Sequence, residues 1–151
     1  MQIFVMMFMV IVLFFMVSNS SDSKGEPPDL YIYSRPNPDN CQQYYNRFNT
    51  LIDCGMEQRF DITTGTCKHY YFTDCGDRYN PPYPTSVELC ANYFNNLTTQ
   101  DFYPHRICQR YYQCLYNNRH ILDLICYNNT LFDITTQTCL DSNYVDCGSR
   151  D

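Results

Sequence analysis

The residues whose type and spacing carry chemistry are ten cysteines, and that chemistry is covalent cross-linking. Two eight-residue stretches frame them, FDITTGTC (Phe60–Cys67) and FDITTQTC (Phe132–Cys139), identical at seven positions. A cysteine stands six residues before each Phe (Cys54, Cys126). Another stands eight residues after each final cysteine (Cys75, Cys147), inside a D-C-G-x-R ending, Asp74–Arg78 and Asp146–Arg150. Self-similarity at a fixed offset marks two copies of one structural unit. An even cysteine count in a short chain reads as a disulfide framework. Zinc sites use closely spaced ligand pairs, whereas this chain has no C-x2-C or C-x4-C pair and its three histidines, His69, His105 and His120, stand apart. No cofactor or metal is expected. Enzyme chemistry is not expected either: there is no Ser-His-Asp order, no nucleophilic cysteine and no glycine-rich phosphate loop. Carboxylates scattered over a stapled miniature unit give no cleft for paired acid/base work.

The rest of the chain must position this frame. Residues 1–20 read as a secretion signal. The apolar run Ile3–Val17 is shorter than the ~20 residues a spanning helix needs. Small residues at Ser18 and Ser20 suit cleavage after Ser20. Residues 21–30 form a polar leader, 31–78 the first copy, 79–86 a Pro-rich linker read as stiff and extended, and 87–151 the second copy. The expected localisation is extracellular, with no membrane contact in the mature form. Ten Lys and Arg against sixteen Asp and Glu leave a formal charge of −6. That balance argues against nucleic acid, whose affinity rests on basic side chains, and against anionic lipid. Units of roughly 45–65 residues bury too little for a self-sufficient core, so covalent staples are required. HILDLIC (His120–Cys126) and NTLIDC (Asn49–Cys54) are short, branched and flanked by turns, which predicts strands. The D-I-T-T-x-T segment predicts a hairpin turn, and no window shows sustained helical periodicity. The fold class is small all-β and disulfide-rich, a tandem repeat of a short sheet plus a two-stranded hairpin.

Comparison of the copies constrains the bridges. CQQYYN (Cys41–Asn46) matches CQRYYQ (Cys108–Gln113), but Cys114 falls where the first copy has Arg47, and Cys90 has no counterpart. Those two extra cysteines are expected to bond each other. The four shared cysteines then pair alike in both copies, which leaves three schemes. Phe60, Phe132 and one member of each pair Tyr44/Tyr45 and Tyr111/Tyr112 are expected in the core, the other member facing out. Asn96 and Asn128 open N-x-T sequons, a surface glycosylation signal.

The second copy's spacing, C-x17-C-x5-C-x11-C-x12-C-x7-C, together with YPHRICQRYYQC and C-x5-FD, resembles the peritrophin-A family, the type 2 chitin-binding domain of carbohydrate-binding module family 14. The likeness is complete over Cys90–Cys147 and degenerate over Tyr31–Cys75. It implies the pairs Cys90–Cys114, Cys108–Cys147 and Cys126–Cys139, and in the first copy Cys41–Cys75 and Cys54–Cys67. It also implies a hevein-like three-stranded sheet followed by a hairpin. The implied function is non-catalytic binding of chitin or N-acetylglucosamine oligomers in an extracellular matrix, with matrix glycoproteins as further partners. A pyranose ring offers an apolar C–H face to an aromatic side chain, while Asp or Asn holds its hydroxyls and acetamide. The family's exposed Trp, two residues after the fifth cysteine, is His69 and Asp141 here, and an aromatic nine residues after the fourth is Thr63 and Thr135. Two family glycines are Asn118 and Asn129. The expected sugar contacts are therefore Asp133, Thr135, Tyr116 and Tyr144 in the second copy, with Asp61 and Tyr71 in the first. The alternative function is a secreted or virion-associated interaction protein that keeps the scaffold and binds a protein.

Overall fold

Each duplicated stretch folds as a hairpin because its sequence places a turn former between two short strands. The structure, a computed structural model, describes residues 34–151; the expected signal, the polar leader and residues 31–33 lie outside the described residues. In the first copy, β1 (Ser34–Pro36), β2 (Gln43–Asn46) and β3 (Leu51–Asp53) form an antiparallel sheet, followed by the hairpin β4 (Gln58–Asp61) and β5 (Thr66–His69). Phe60 pairs with Cys67 across that hairpin, and a 3-10 turn, Tyr70–Phe72, follows it. The second copy repeats the order: β6 (Phe102–Pro104), β7 (Arg110–Leu115) and β8 (His120–Ile125), then the hairpin β9 (Thr130–Asp133) and β10 (Thr138–Asp141), then the 3-10 turn Ser142–Tyr144. Phe132 pairs with Cys139 in the same register.

One large ring sits under each hairpin, 1% exposed in both copies. Phe60 stacks on Tyr44 at 4.9 Å and 17°, and Phe132 on Tyr111 at 4.8 Å and 14°. The backbone ties the same elements, since Phe60 N donates to Cys41 O and Phe132 N to Cys108 O. Sulfurs join Cys41 to Cys75, Cys54 to Cys67, Cys90 to Cys114, Cys108 to Cys147 and Cys126 to Cys139, and no cysteine among the described residues is free. The arginine of each D-C-G-x-R ending explains that motif. Arg78 donates to Cys75 O and Phe60 O, and Arg150 to Cys147 O and Phe132 O, so the chain end is drawn back onto its own hairpin.

The structure departs from the sequence expectation in one element, an α-helix, α1, at Ser86–Phe94. Thr85 caps it, its side chain accepting from Glu88 N while the Glu88 carboxylate accepts from Thr85 N. That reciprocal arrangement is a capping box. Nine residues are too few to show a sustained period, yet T-x-x-E is legible in the sequence as a helix start. The helix buries Leu89 and Cys90 against Tyr103 and Cys114, and Cys90 is bonded to β7 through Cys114. This packing also changes the expectation for Tyr112, which lies against the same cluster rather than facing out, because α1 supplies a surface for it.

The Pro-rich connector does not hold the copies apart: the described residues, 34–151, belong to one compact unit. Buried Arg59 donates to Asn80 Oδ1 and to the carbonyls of Pro81 and Pro82, which pins the connector to the first copy. Tyr83 then inserts between the copies. Its ring lies 4.8 Å from that of Tyr71 and 5.2 Å from that of Tyr70, and it packs against the α1 cluster of the second copy. The second copy's ending closes the seam: Ser149 N donates to Tyr71 O at 2.8 Å, and Arg150 lies 5.9 Å over the Tyr71 ring. Gly148, at φ +59, is required there, because a Cβ would stand 2.1 Å from Tyr71 O.

Candidate functional site

The expected contact residues fall into three places. Asp133 and Thr135 are at the tip of the second hairpin, where Asp133 Oδ2 accepts from Thr136 N and Oγ1 at 2.7 and 2.8 Å. Asp133 therefore caps its turn with one oxygen, and no hydrogen bond among the described residues engages its Oδ1. Tyr144 lies at the other end of that hairpin, beyond the Thr130–Asp141 pair, and is 82% exposed. Tyr116 is 57% exposed and meets Tyr93 of α1 edge-on at 6.4 Å. It follows β7 at the end remote from the hairpin, so the length of that strand separates it from Tyr111, the residue stacked on Phe132. The structure does not bring Tyr116 together with Asp133 or Tyr144.

The first-copy contacts are covered. Tyr71, expected at the surface, is 5% exposed because residues 148–150 and Tyr83 lie on it; this burial pushes its hydroxyl pKa up to about 12. Asp61, also expected to face ligand, is 4% exposed. Its Oδ1 accepts from Thr63 N (2.7 Å), Thr63 Oγ1 (2.5 Å) and Thr64 N (3.2 Å), and its Oδ2 pairs with Lys68 at 2.5 Å. The carboxylate is a turn cap with both oxygens occupied.

Burial alone favours the neutral acid at Asp61, but the Lys68 and Thr63 hydrogen bonds, with the backbone donors, outweigh it and hold the pKa at about 2. Donors aimed at a carboxylate favour its charged form. A depressed folded-state pKa stabilises the protein above the unfolded value near 4 and loses that contribution as pH falls toward 2. The contribution is roughly 2 kcal/mol. In acid titrations followed by denaturant unfolding, Asp61→Asn is expected to flatten the loss of stability between pH 4 and 2; an unchanged slope would refute the assignment.

His69 and Asp141, each two residues after the last cysteine of its octapeptide, cap the 3-10 turn that follows. His69 Nδ1 accepts from Tyr71 N at 3.3 Å, and Asp141 Oδ1 accepts from Asn143 N at 2.9 Å. Asn118 and Asn129 have φ of +67 and +60, a left-handed conformation that Asn tolerates better than most residues. A further aromatic escaped the sequence reading. Tyr127 is 73% exposed just before β9, where its carbonyl accepts from Thr130 N and Oγ1. Its place directly after Cys126 was the available signal. Asn129 Nδ2 donates to Ser142 Oγ at 3.0 Å and Ser142 N to Asn129 O, so the entry to β9 and the exit from β10 are tied together. Tyr127 and Tyr144 thus flank one end of one hairpin, with the side chains of Asn129, Ser142 and Asn143 on the same segments.

Small antiparallel sheets, one short helix and five disulfides define a small, disulfide-rich, mostly β fold. Residues 90–147, nearly the whole of the second copy, match the family model for the chitin binding Peritrophin-A domain. No curated protein matches the chain. Among the described residues, no helix is long and apolar enough to cross a membrane.

Proposed function

We propose that this is a secreted, non-catalytic chitin-binding protein whose second copy meets the polymer with Tyr127 and Tyr144. The observation that carries this reading is the exposure of both rings at one end of the family's hairpin. Two aromatic faces suit the C–H faces of sugar rings along a flat polymer, and Asn129, Ser142 and Asn143 suit their hydroxyls and acetamides. Five disulfides accord with an oxidising, extracellular compartment. The first copy, with its aromatic turn covered, acts as the platform for the second. Asn128 is exposed beside Tyr127, so a glycan there competes with the polymer for this face; Asn96 is exposed at the end of α1, away from the hairpin.

The test is retention of unglycosylated protein on chitin beads. Tyr144→Ala and Tyr127→Ala are each expected to weaken binding about tenfold, the loss of roughly 1–2 kcal/mol of apolar contact. Neither is expected to alter stability by more than about 0.5 kcal/mol, as both are surface changes. Failure of the wild-type protein to bind, or wild-type retention by both variants, would sink the reading.

A further inference from the structure

We propose that the seam between the copies holds a second carbohydrate site, a carboxamide-lined cleft for a short N-acetylglucosamine oligomer. The inference rests on the chitin-binding reading above and extends it to a place that neither copy forms alone. The cleft has a volume of about 400 Å³, within the ~300–1,000 Å³ of small-ligand sites. Gln58 and Met56 of the first copy line one side. Asn92 of α1, Gln100, Phe102 and the hairpin-turn residue Gln137 line it from the second copy.

The chemistry of that lining selects the ligand class. Among the described residues, the side chains of Gln58, Asn92 and Gln137 have no hydrogen-bond partner, and Gln100 commits only its Nε2, to Phe102 O at 3.2 Å. A carboxamide offers donors and an acceptor without charge, which matches hydroxyl and acetamido groups on a neutral ligand. The ionisable groups at the cleft are occupied with the seam itself: Glu57 accepts from the Tyr83 hydroxyl at 3.2 Å and stands 3.6 Å from His69 Nε2. Among the described residues that line the cleft, no free cation is therefore offered to a phosphate or carboxylate. Phe102 and Met56 supply apolar surface for a ring face.

Gln137 supports the assignment independently. It occupies the one position at which the duplicated octapeptides differ, and its φ is +57 where Gly65 of the first copy has +66. Most other non-glycine residues with positive φ here are Asn, which adopts this conformation readily. A bulkier side chain held in a sparsely populated conformation is a mark of functional placement. The Gln137 side chain lines the cleft.

The experiment titrates tetra-N-acetylchitotetraose into the full unglycosylated chain by calorimetry. The wild type is expected to bind, and Gln137→Gly to weaken binding about fivefold or more. The same variant is expected to hold or raise thermal stability, because glycine accepts the backbone conformation; a structural residue would lose stability instead. Asn92→Leu is expected to weaken the oligomer to a similar degree. Wild-type affinity in both variants, or no oligomer binding by the wild type, overturns the cleft. Bead retention separates the two readings: beads that hold both cleft variants but release Tyr127→Ala and Tyr144→Ala leave the hairpin face standing whatever the oligomer does.

Discussion

Gly148→Ala is expected to destabilise the protein far more than Gly76→Ala, although the two glycines occupy the same place in the two D-C-G-x-R endings. Their φ values are +59 and +56. The backbone cost of a side chain in that region, about 1–2 kcal/mol, is therefore common to both. Their surroundings are not. A Cβ on Gly76 meets nothing within 4 Å, whereas one on Gly148 stands 2.1 Å from Tyr71 O and 2.7 Å from the Phe72 ring. Backbone on one side and a packed ring on the other leave no flexible group to yield. The seam must open, which adds roughly 1–3 kcal/mol of overpacking and lengthens the Ser149–Tyr71 hydrogen bond. Denaturant unfolding of the two variants, read against each other, isolates the seam from the backbone cost. Faster proteolysis within residues 80–85 in Gly148→Ala alone is the second readout. Equal losses in the two variants would show that the copies do not depend on this contact.

Phe132→Ala is expected to cost about 3–5 kcal/mol, the range for truncating a buried aromatic ring. The ring is the large apolar group beneath the second hairpin, and Tyr111 loses its stacked neighbour when it is removed. A stacked pair is worth ~0.5–1.5 kcal/mol beyond area. For a small domain with a total of about 5–15 kcal/mol, that loss is a large share of what holds it folded. Phe60→Ala is expected to act similarly on the first copy through Tyr44. Tyrosine fluorescence during denaturation reports both, as the chain has no Trp. A loss below about 1 kcal/mol at Phe132, far under the usual cost of such a truncation, would mean that the bridges alone hold the hairpin.

The strands were legible because their signals are local; for the cross-links, comparison of the copies left three schemes and the family resemblance implied the full pairing. The F-D-I-T-T hairpin and alternation in HILDLIC depend on near neighbours, and strands β4, β5, β8, β9 and β10 fall where those signals stand. The helix was masked by its length, and only Thr85 and Glu88 announced it. The candidate site was less legible, because exposure is a property of docking. Tyr71 and Tyr144 are one register position apart in equivalent 3-10 turns, yet one is covered by the other copy and the other faces water. No pattern within either octapeptide carries that difference. It arises where Gly148 meets Tyr71, between segments from opposite halves of the chain.

The seam joins unlike faces of like units: the ending of the second copy lies on the aromatic turn of the first. Such a heterologous contact has no twofold axis and does not close on itself, so it is the kind of joint from which linear arrays grow. The seat for a third unit would be the turn Ser142–Tyr144, and there the two tyrosines of Tyr70–Phe72 are replaced by Ser142 and Asn143. With its aromatic receptacle exchanged for polar groups, that turn lacks the seat that the first copy offers, and its remaining ring, Tyr144, stays exposed.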